Sequence, residues 1–508
     1  MSGQFHPAAH AATAPDRLAV VVPSTGETRT YAELEANSNR IAAMLRSRGL
    51  QRGDVVAVVM PNDVSWYEIV WGVQRCGMYL VPVNWHLTAK EASYIVRDCE
   101  AKALFAGASL ADTIAEFGDA ATNVGLRISV GGELPGFESL ESVVDGQPDT
   151  ASPDDVEGSW MFYSSGTTGQ PKGIKPALPT ISLGETNPLV MLLAGVYGLT
   201  TETVYLSPAP LYHAAPAGWS TTAQRLGGTV VVMDRFDPLE WLRLVEEYKV
   251  THTQLVPTHM VRLLKLAEST RARYDTSSLQ VVVHAAAPCP PEVKREFIDW
   301  LGLIVYEYYA ASEGTGFCAI GPQEWLDHPG SVGKSLLAPV HILDEEGNEL
   351  PIGEEGEIWF EAIHRFDYHG DPEKTARAFN DRGWNSIGDI GRLDQEGYVY
   401  LTDRVSNMII SGGVNIYPRE AEDVLTMHYA VEDVGVIGTP DEVMGEQVTA
   451  FVQLREGEVA SDKLAEELIG YCRERLSHFK CPREVRFVES LPRLPNGKLL
   501  KRMLIANP

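Results

Sequence analysis

The sequence predicts an α/β protein: a large N-terminal domain of helix-covered sheets that ends in a barrel-like β segment, followed by a small α+β C-terminal domain. Three observations predict it. Helical and extended patterns alternate over the first part of the chain, which points to parallel sheets covered by helices. From Val340 the texture changes to short strands joined by Asp, Glu and Gly turns, an antiparallel pattern. After Arg404 a compact run of helix, strand, strand, helix and strand can be read. The boundary is set at Asp403-Arg404, dividing the chain into residues 1–403 and 404–508.

The elements follow in order. From Tyr31 to Gly49 the apolar residues recur at helical spacing, and Asp54 to Met60 is a continuous apolar run that reads as a buried strand. The alternation continues through Trp66 to Cys76, Ala103 to Phe105, Thr229 to Met233, Leu239 to Tyr248, Gln280 to His284 and Leu303 to Tyr308. His341 to Leu343, Gly356 to Phe360 and Gly397 to Leu401 are the short strands of the antiparallel segment. Beyond the boundary, Arg419 to Met427 and Ser461 to Leu476 read as helices. Val431 to Ile437, Gln447 to Leu454 and Val485 to Val488 read as strands.

A chain of 508 residues exceeds what one hydrophobic core usually serves, so at least two domains are expected. Its formal net charge of -27 argues against a nucleic-acid or anionic-membrane partner. The cysteines (Cys76, Cys99, Cys289, Cys318, Cys472 and Cys481) contain no Cys-x-x-Cys pair, which speaks against a zinc or redox motif and for free thiols in a reducing compartment. Met1 to Asp16 lack the basic start and apolar core of a signal peptide. The longest apolar run, Pro188 to Leu199, is too short and too interrupted by glycine to span a bilayer. A cytoplasmic protein is expected.

The chemistry starts at Tyr163-Ser164-Ser165-Gly166-Thr167-Thr168-Gly169-Gln170-Pro171-Lys172-Gly173, which follows the apolar Trp160-Met161-Phe162. Glycines allow close backbone approach, hydroxyls and N–H groups offer donors to phosphate oxygens, and Lys172 adds a positive charge. It is no Walker A loop, because proline stands at 171 where that motif wants glycine. A polyphosphate cradle is one reading and a solvated linker the other, and the context decides.

That context is Tyr309-Ala310-Ala311-Ser312-Glu313-Gly314, then Gly388-Asp389, Thr402-Asp403-Arg404 and Gly497-Lys498. In this order, the series resembles that of the adenylate-forming superfamily: acyl- and aryl-CoA synthetases, luciferases and the adenylation domains of peptide synthetases. The resemblance runs from Thr30-Tyr31-Ala32-Glu33-Leu34 to Lys498. It implies ATP, Mg²⁺ and coenzyme A as co-substrates and cofactors, and a C-terminal domain that rotates about a hinge.

The resemblance also implies roles. Ser164, Ser165, Gly166, Thr167, Thr168, Gly169 and Lys172 would cradle the phosphates. Glu313 and Thr168 would hold Mg²⁺, and Ser312 keeps the hydroxyl of the threonine more usual there. Tyr309 would stack on adenine beside Ala286 and Ala287, Asp389 would accept from the ribose hydroxyls, and Arg404 would hold ribose or phosphate from the hinge. Lys498 would contact both the substrate carboxylate and the α-phosphate. Gly412 and Gly413 would line the pantetheine tunnel, with Lys480 near a coenzyme A phosphate. Leu494 and Ser406 depart from the usual threonine and aspartate or lysine, and the hinge energetics of relatives are not carried over.

For the acid, the resemblance makes His213 in Leu211-Tyr212-His213-Ala214-Ala215-Pro216 the gate candidate, with a hydrogen-bonded core histidine as the plain alternative. His284, Ala285, Gly314 and Gly316 would line the rest of the pocket. These segments hold no lysine or arginine for a second carboxylate and no aspartate for an ammonium, so a hydrophobic monocarboxylate is expected. The sequence-based expectation is an acyl-CoA synthetase. Its alternatives are an acyl-AMP ligase with another acceptor, a luciferase-like oxygenase, and a non-catalytic nucleotide or acyl-CoA sensor. A homodimer is a base-rate expectation.

Overall fold

The computed structural model describes residues 5–164, 171–185, 188–287, 289–362, 365–404, 407–411, 414–441, 444–493 and 499–505. The helix Tyr31–Ser47 starts on a capping box: the Thr30 hydroxyl accepts the Glu33 N–H and the Glu33 carboxylate accepts the Thr30 N–H. Its apolar face, with Tyr31, Leu34, Ile41 and Leu45, is buried. The strand Val55–Val59 is buried at every position because it pairs in parallel with Tyr79–Pro82 on one side and Ala103–Gly107 on the other. These belong to a six-stranded parallel sheet completed by Leu126–Val130, Glu138–Ser139 and Ser159–Trp160.

A nine-stranded sheet is parallel in its middle, through Leu18–Val22, Thr229–Val232, Val204–Ser207, His252–Leu255, Val281–His284 and Val305–Tyr309. Antiparallel strands close both of its edges. One hydrophobic core joins the two sheets through Tyr31–Ser47, Val64–Gln74 and Ala214–Arg225. Both sheets therefore present the carboxyl ends of parallel strands to loops, the usual place for a ligand crevice in such folds.

The segment from Val340 is antiparallel as expected, with Val340–Leu343, Gly356–Glu361, Asp389–Leu393 and Val399–Arg404 in that order and Trp384–Asn385 beside Gly356–Glu361. Among the described residues its path is open, with no pairing of the first strand to the last. The C-terminal unit pairs Val431–Asp441 with Gly445–Leu454 antiparallel and Glu484–Val488 in parallel, and packs Arg419–Thr426 and Asp462–Arg473 against this sheet. All six cysteines are free and buried. Among the described residues no helix is long and apolar enough to cross a membrane.

Buried histidines make this fold sensitive to acid. Burial lowers His284 to about 4, with Lys294 acting the same way and Glu307 opposing; burial and then Arg262 lower His259 to about 3. His6 is lowered well below its ordinary value by burial, then by Arg75, Arg225 and His10. A depressed histidine stays neutral in the fold while the unfolded chain takes a proton near pH 6.5, so the unfolded state binds more protons as pH falls. Stability should therefore fall from about pH 6.5 towards pH 4, by up to about 1.4 kcal/mol per pH unit for each histidine. Urea titrations at pH 7 and pH 5 check this, and equal unfolding free energies would contradict it.

Candidate active site

The predicted cradle is bracketed by a pair of antiparallel strands, Phe162–Ser164 and Lys172–Pro176, with Ser164 opposite Lys172. Ser165, Gly166, Thr167, Thr168 and Gly169 lie outside the described residues, as does the side chain of Ser164. Gly173 is there for space: a Cβ on it would come within 2.6 Å of the Met161 side chain. A third strand, Phe366–Tyr368, pairs with the other edge of Lys172–Pro176 and sets Tyr368 opposite Ile174. No sequence signal had singled this strand out.

It brings a group of side chains with it. Lys172 Nζ lies 3.2 Å from Asp371. Asp371 also caps the helix Pro372–Arg377 by accepting the Lys374 N–H, and that N–H together with Lys172 holds its carboxyl below the ordinary range. Tyr368 donates to Glu313 Oε1 at 2.8 Å, and Lys374 Nζ sits 3.8 Å from the centre of the Tyr368 ring. Burial lowers Lys374, with Glu313 opposing. Glu313 and Lys172, predicted from distant parts of the chain, are thus joined through one short strand and the helix after it.

Tyr309 closes the strand Val305–Tyr309, and its hydroxyl donates to Asp389 Oδ2 at 2.5 Å. Asp389 opens its own strand directly opposite Arg404, whose side chain lies outside the description. Tyr309 and Asp389 line a cleft of about 1020 Å³ together with Ala286, Ala287, Tyr308 and Glu307. The volume is at the upper end of the roughly 300–1,000 Å³ usual for small-molecule sites. Ala286 adopts φ +74, a left-handed conformation that costs a non-glycine residue about 1–2 kcal/mol. Such strain clusters at binding sites.

The other side of the cleft comes from the C-terminal part, through Arg419, Asp433, Arg493 and Leu499. Arg493 and Leu499 flank residues 494–498, so Lys498 itself lies outside the described residues. Arg419 donates to the Leu401 carbonyl at 2.8 Å and takes Asp403 as acceptor for its N–H, fastening the helix Arg419–Thr426 to the end of the preceding strand. Lys265 reaches Glu432 at 2.7 Å and ties the nine-stranded sheet's helical layer to the strand Val431–Asp441.

The remaining predicted residues fall in three places. His213 precedes the helix Ala214–Arg225 and is half-buried, its ring 4.5 Å from Tyr212. His284 is wholly buried, with Nε2 3.4 Å from Glu307, while Ala285 beside it is buried and Ser312 is exposed. Gly314 and Gly316 both have positive φ, and a Cβ on Gly316 would meet the Phe360 ring at 2.2 Å. Lys480 is held by both carboxylate oxygens of Glu420 at 2.7 Å. Gly412 and Gly413 lie outside the described residues, between the paired strands Ile409–Ser411 and Val414–Ile416.

Comparison with known proteins agrees with this geometry. The family profile described as "AMP-binding enzyme" matches residues 7–364, and "AMP-binding enzyme C-terminal domain" matches residues 420–498. The chain is 32% identical to the long-chain-fatty-acid–CoA ligase FadD13 of Mycobacterium tuberculosis over 97% of its length and 96% of the relative. It is 32% identical to the fatty acid–[acyl-carrier-protein] ligase ScoC of Streptomyces coeruleorubidus, covering 98% and 94%. The structure of the amide bond synthetase McbA from Marinactinospora thermotolerans matches with a TM-score of 0.83 at 27% identity, covering 99% of each chain. Matched by both profiles along most of its length, the chain belongs to the AMP-binding enzyme family and is an adenylate-forming, acyl-activating ligase.

Proposed function

We propose that this enzyme is an ATP- and Mg²⁺-dependent acyl-CoA ligase that activates a hydrophobic monocarboxylic acid: a fatty, aryl, or steroid or terpenoid side-chain acid. The observation that carries the reading is the Tyr309–Asp389 bond in the cleft, an aromatic face fixed to a carboxylate. That pair suits adenosine, with the ring on adenine and the carboxylate accepting from ribose hydroxyls. Glu313, steadied by Tyr368, fits Mg²⁺, which takes one or two carboxylates and otherwise retains substrate phosphates and water. Thr168 is the second candidate ligand. When bound, the ion offsets phosphate charge.

In the first half-reaction a carboxylate oxygen attacks the α-phosphorus, and the α–β bonding pair leaves on pyrophosphate. Lys172 faces the phosphates, Arg404 the ribose, and Lys498 holds two mutually repelling anions in attack geometry. In the second, the coenzyme A sulfur attacks the acyl carbonyl carbon and AMP leaves with the bonding pair. Gly412 and Gly413 leave room for the thiol arm, and Lys480 meets its phosphates once released from Glu420.

The acyl side supports an apolar acid. Beyond His213, Tyr308 stacks on Phe317 with ring centres 5.2 Å apart, and Trp219 donates to the Tyr308 hydroxyl. No lysine or arginine stands in residues 211–216, 284–288 or 314–318 to hold a second carboxylate. Relatives named for carrier-protein and amide acceptors make the acceptor the point to test. AMP release from ATP and Mg²⁺ across a panel of hydrophobic carboxylates, with and without coenzyme A, is the experiment. AMP that requires both acid and coenzyme A is expected; acid-dependent pyrophosphate indifferent to coenzyme A would assign another acceptor.

A further inference from the structure

We propose that Lys374, on a segment with no assigned part in the chemistry, is a second polyphosphate-binding cation that grips the β- and γ-phosphates of ATP and the departing pyrophosphate. The inference rests on the adenylation reading above and adds a residue to it. Lys374 is half-buried, and among the described residues no carboxylate lies within ion-pair distance of its ammonium. It lies over the face of Tyr368, 3.8 Å from the ring centre. Lys172, by contrast, is already matched by Asp371. A partly desolvated ammonium that feels Glu313 and Asp371 only at a distance stays costly unless an anion arrives to meet it.

The surroundings say which anion. Tyr368 spends its hydroxyl on Glu313 and its ring on Lys374, so one side chain orients both a carboxylate suited to Mg²⁺ and a cation. The strand carrying Tyr368 is paired to the strand carrying Lys172, and the Pro372–Arg377 helix is pinned there through Asp371. Lys172 from its strand, Lys374 from the helix and Glu313 from the turn after Val305–Tyr309 are therefore gathered around Tyr368 and Asp371. A phosphate chain is the ligand with enough charge to need all of them. As the α–β bond breaks, the added negative charge develops on a β-phosphate oxygen, and a fixed cation there stabilises the departing group. Lys374 thus acts on the leaving group, at the opposite end of the reacting phosphorus from the carboxylate.

The test separates phosphates from nucleoside. Calorimetric affinities for ATP with Mg²⁺, for inorganic pyrophosphate and for AMP are measured on the full chain and on Lys374→Gln and Lys374→Arg. Losing a charged contact should weaken ATP and pyrophosphate about tenfold or more, leave AMP unchanged, and be partly restored in Lys374→Arg. Equal weakening of AMP and ATP would make Lys374 a structural residue and overturn the proposal. Unchanged pyrophosphate affinity in Lys374→Gln would overturn it as well. A wild-type protein that binds none of the three would overturn the adenylation reading itself, an outcome distinct from either.

Discussion

Lys498→Ala is expected to slow acyl-adenylate formation by roughly a hundred- to a thousand-fold, the loss seen when a single group aimed at developing transition-state charge is removed. Transfer from pre-formed acyl-AMP to coenzyme A should suffer much less, because by then the α-phosphate has already been attacked. The residues on either side support this. Arg493 is locked to Asp433 by two bonds of 2.5 and 2.7 Å, and Lys501 pairs with Glu422 at 2.8 Å. Leu499 packs against the strand Val431–Asp441, where a Cβ on Gly435 would come within 2.5 Å of it. Both ends of residues 494–498 are thus anchored, and Arg493 and Leu499 line the cleft that holds Tyr309 and Asp389. Acid-dependent exchange of pyrophosphate into ATP measures the first step, and synthetic acyl-AMP with coenzyme A measures the second. Equal loss in both steps would sink the assignment.

What could be read from the sequence was local. The run Asp54 to Met60 can be little else than a buried strand, and the capping pattern Thr30-Tyr31-Ala32-Glu33 marks the start of the helix Tyr31–Ser47 with the partners the structure has. The C-terminal helices and strands match their reading within a few residues for the same reason. What stayed hidden depends on pairing at a distance. Tyr368 matters because it is opposite Ile174, a partner nearly two hundred positions away in the chain, and nothing in Phe366-Asp367-Tyr368 announces that neighbour. The Asp371-Pro372 start of a helix was visible in principle, since aspartate before proline is a common N-terminal signal, but not the strand that aims Lys374. His284 was expected along the pocket from its place in the chain. It is instead wholly buried, because the strand Val281–His284 is flanked on both sides and Glu307 sits across from it in register. Lys480, expected near a coenzyme A phosphate, is held in the structure by Glu420, sixty residues earlier.

Glu307→Ala should be the most destabilising single change beneath the cleft, costing about 3–5 kcal/mol, because it strands a buried charge. Lys294 is fully buried, donates to Glu307 Oε2 at 2.7 Å, and has as its other neighbour the ring of Trp325 at 4.7 Å. Burial alone would raise the Glu307 carboxyl; Lys294, then His284 and Arg419, outweigh it and hold the group below its ordinary value. A lowered carboxyl lends stability above the unfolded value near pH 4.5 and loses it as pH falls through the folded value, so Glu307 adds to the acid sensitivity of His284. The double variant Lys294→Met/Glu307→Leu removes both charges and keeps most of the volume. It should cost less than Glu307→Ala, since replacing a buried ion pair by apolar groups is often close to neutral. Urea unfolding at pH 7 gives the three free energies. A Glu307→Ala loss below about 1 kcal/mol would mean that Lys294 gives up its proton or reaches water, and that the pair does not hold the strand Val305–Tyr309 in place. A large loss would tie the position of Tyr309, two residues along the same strand, to an ion pair on the cleft's buried side.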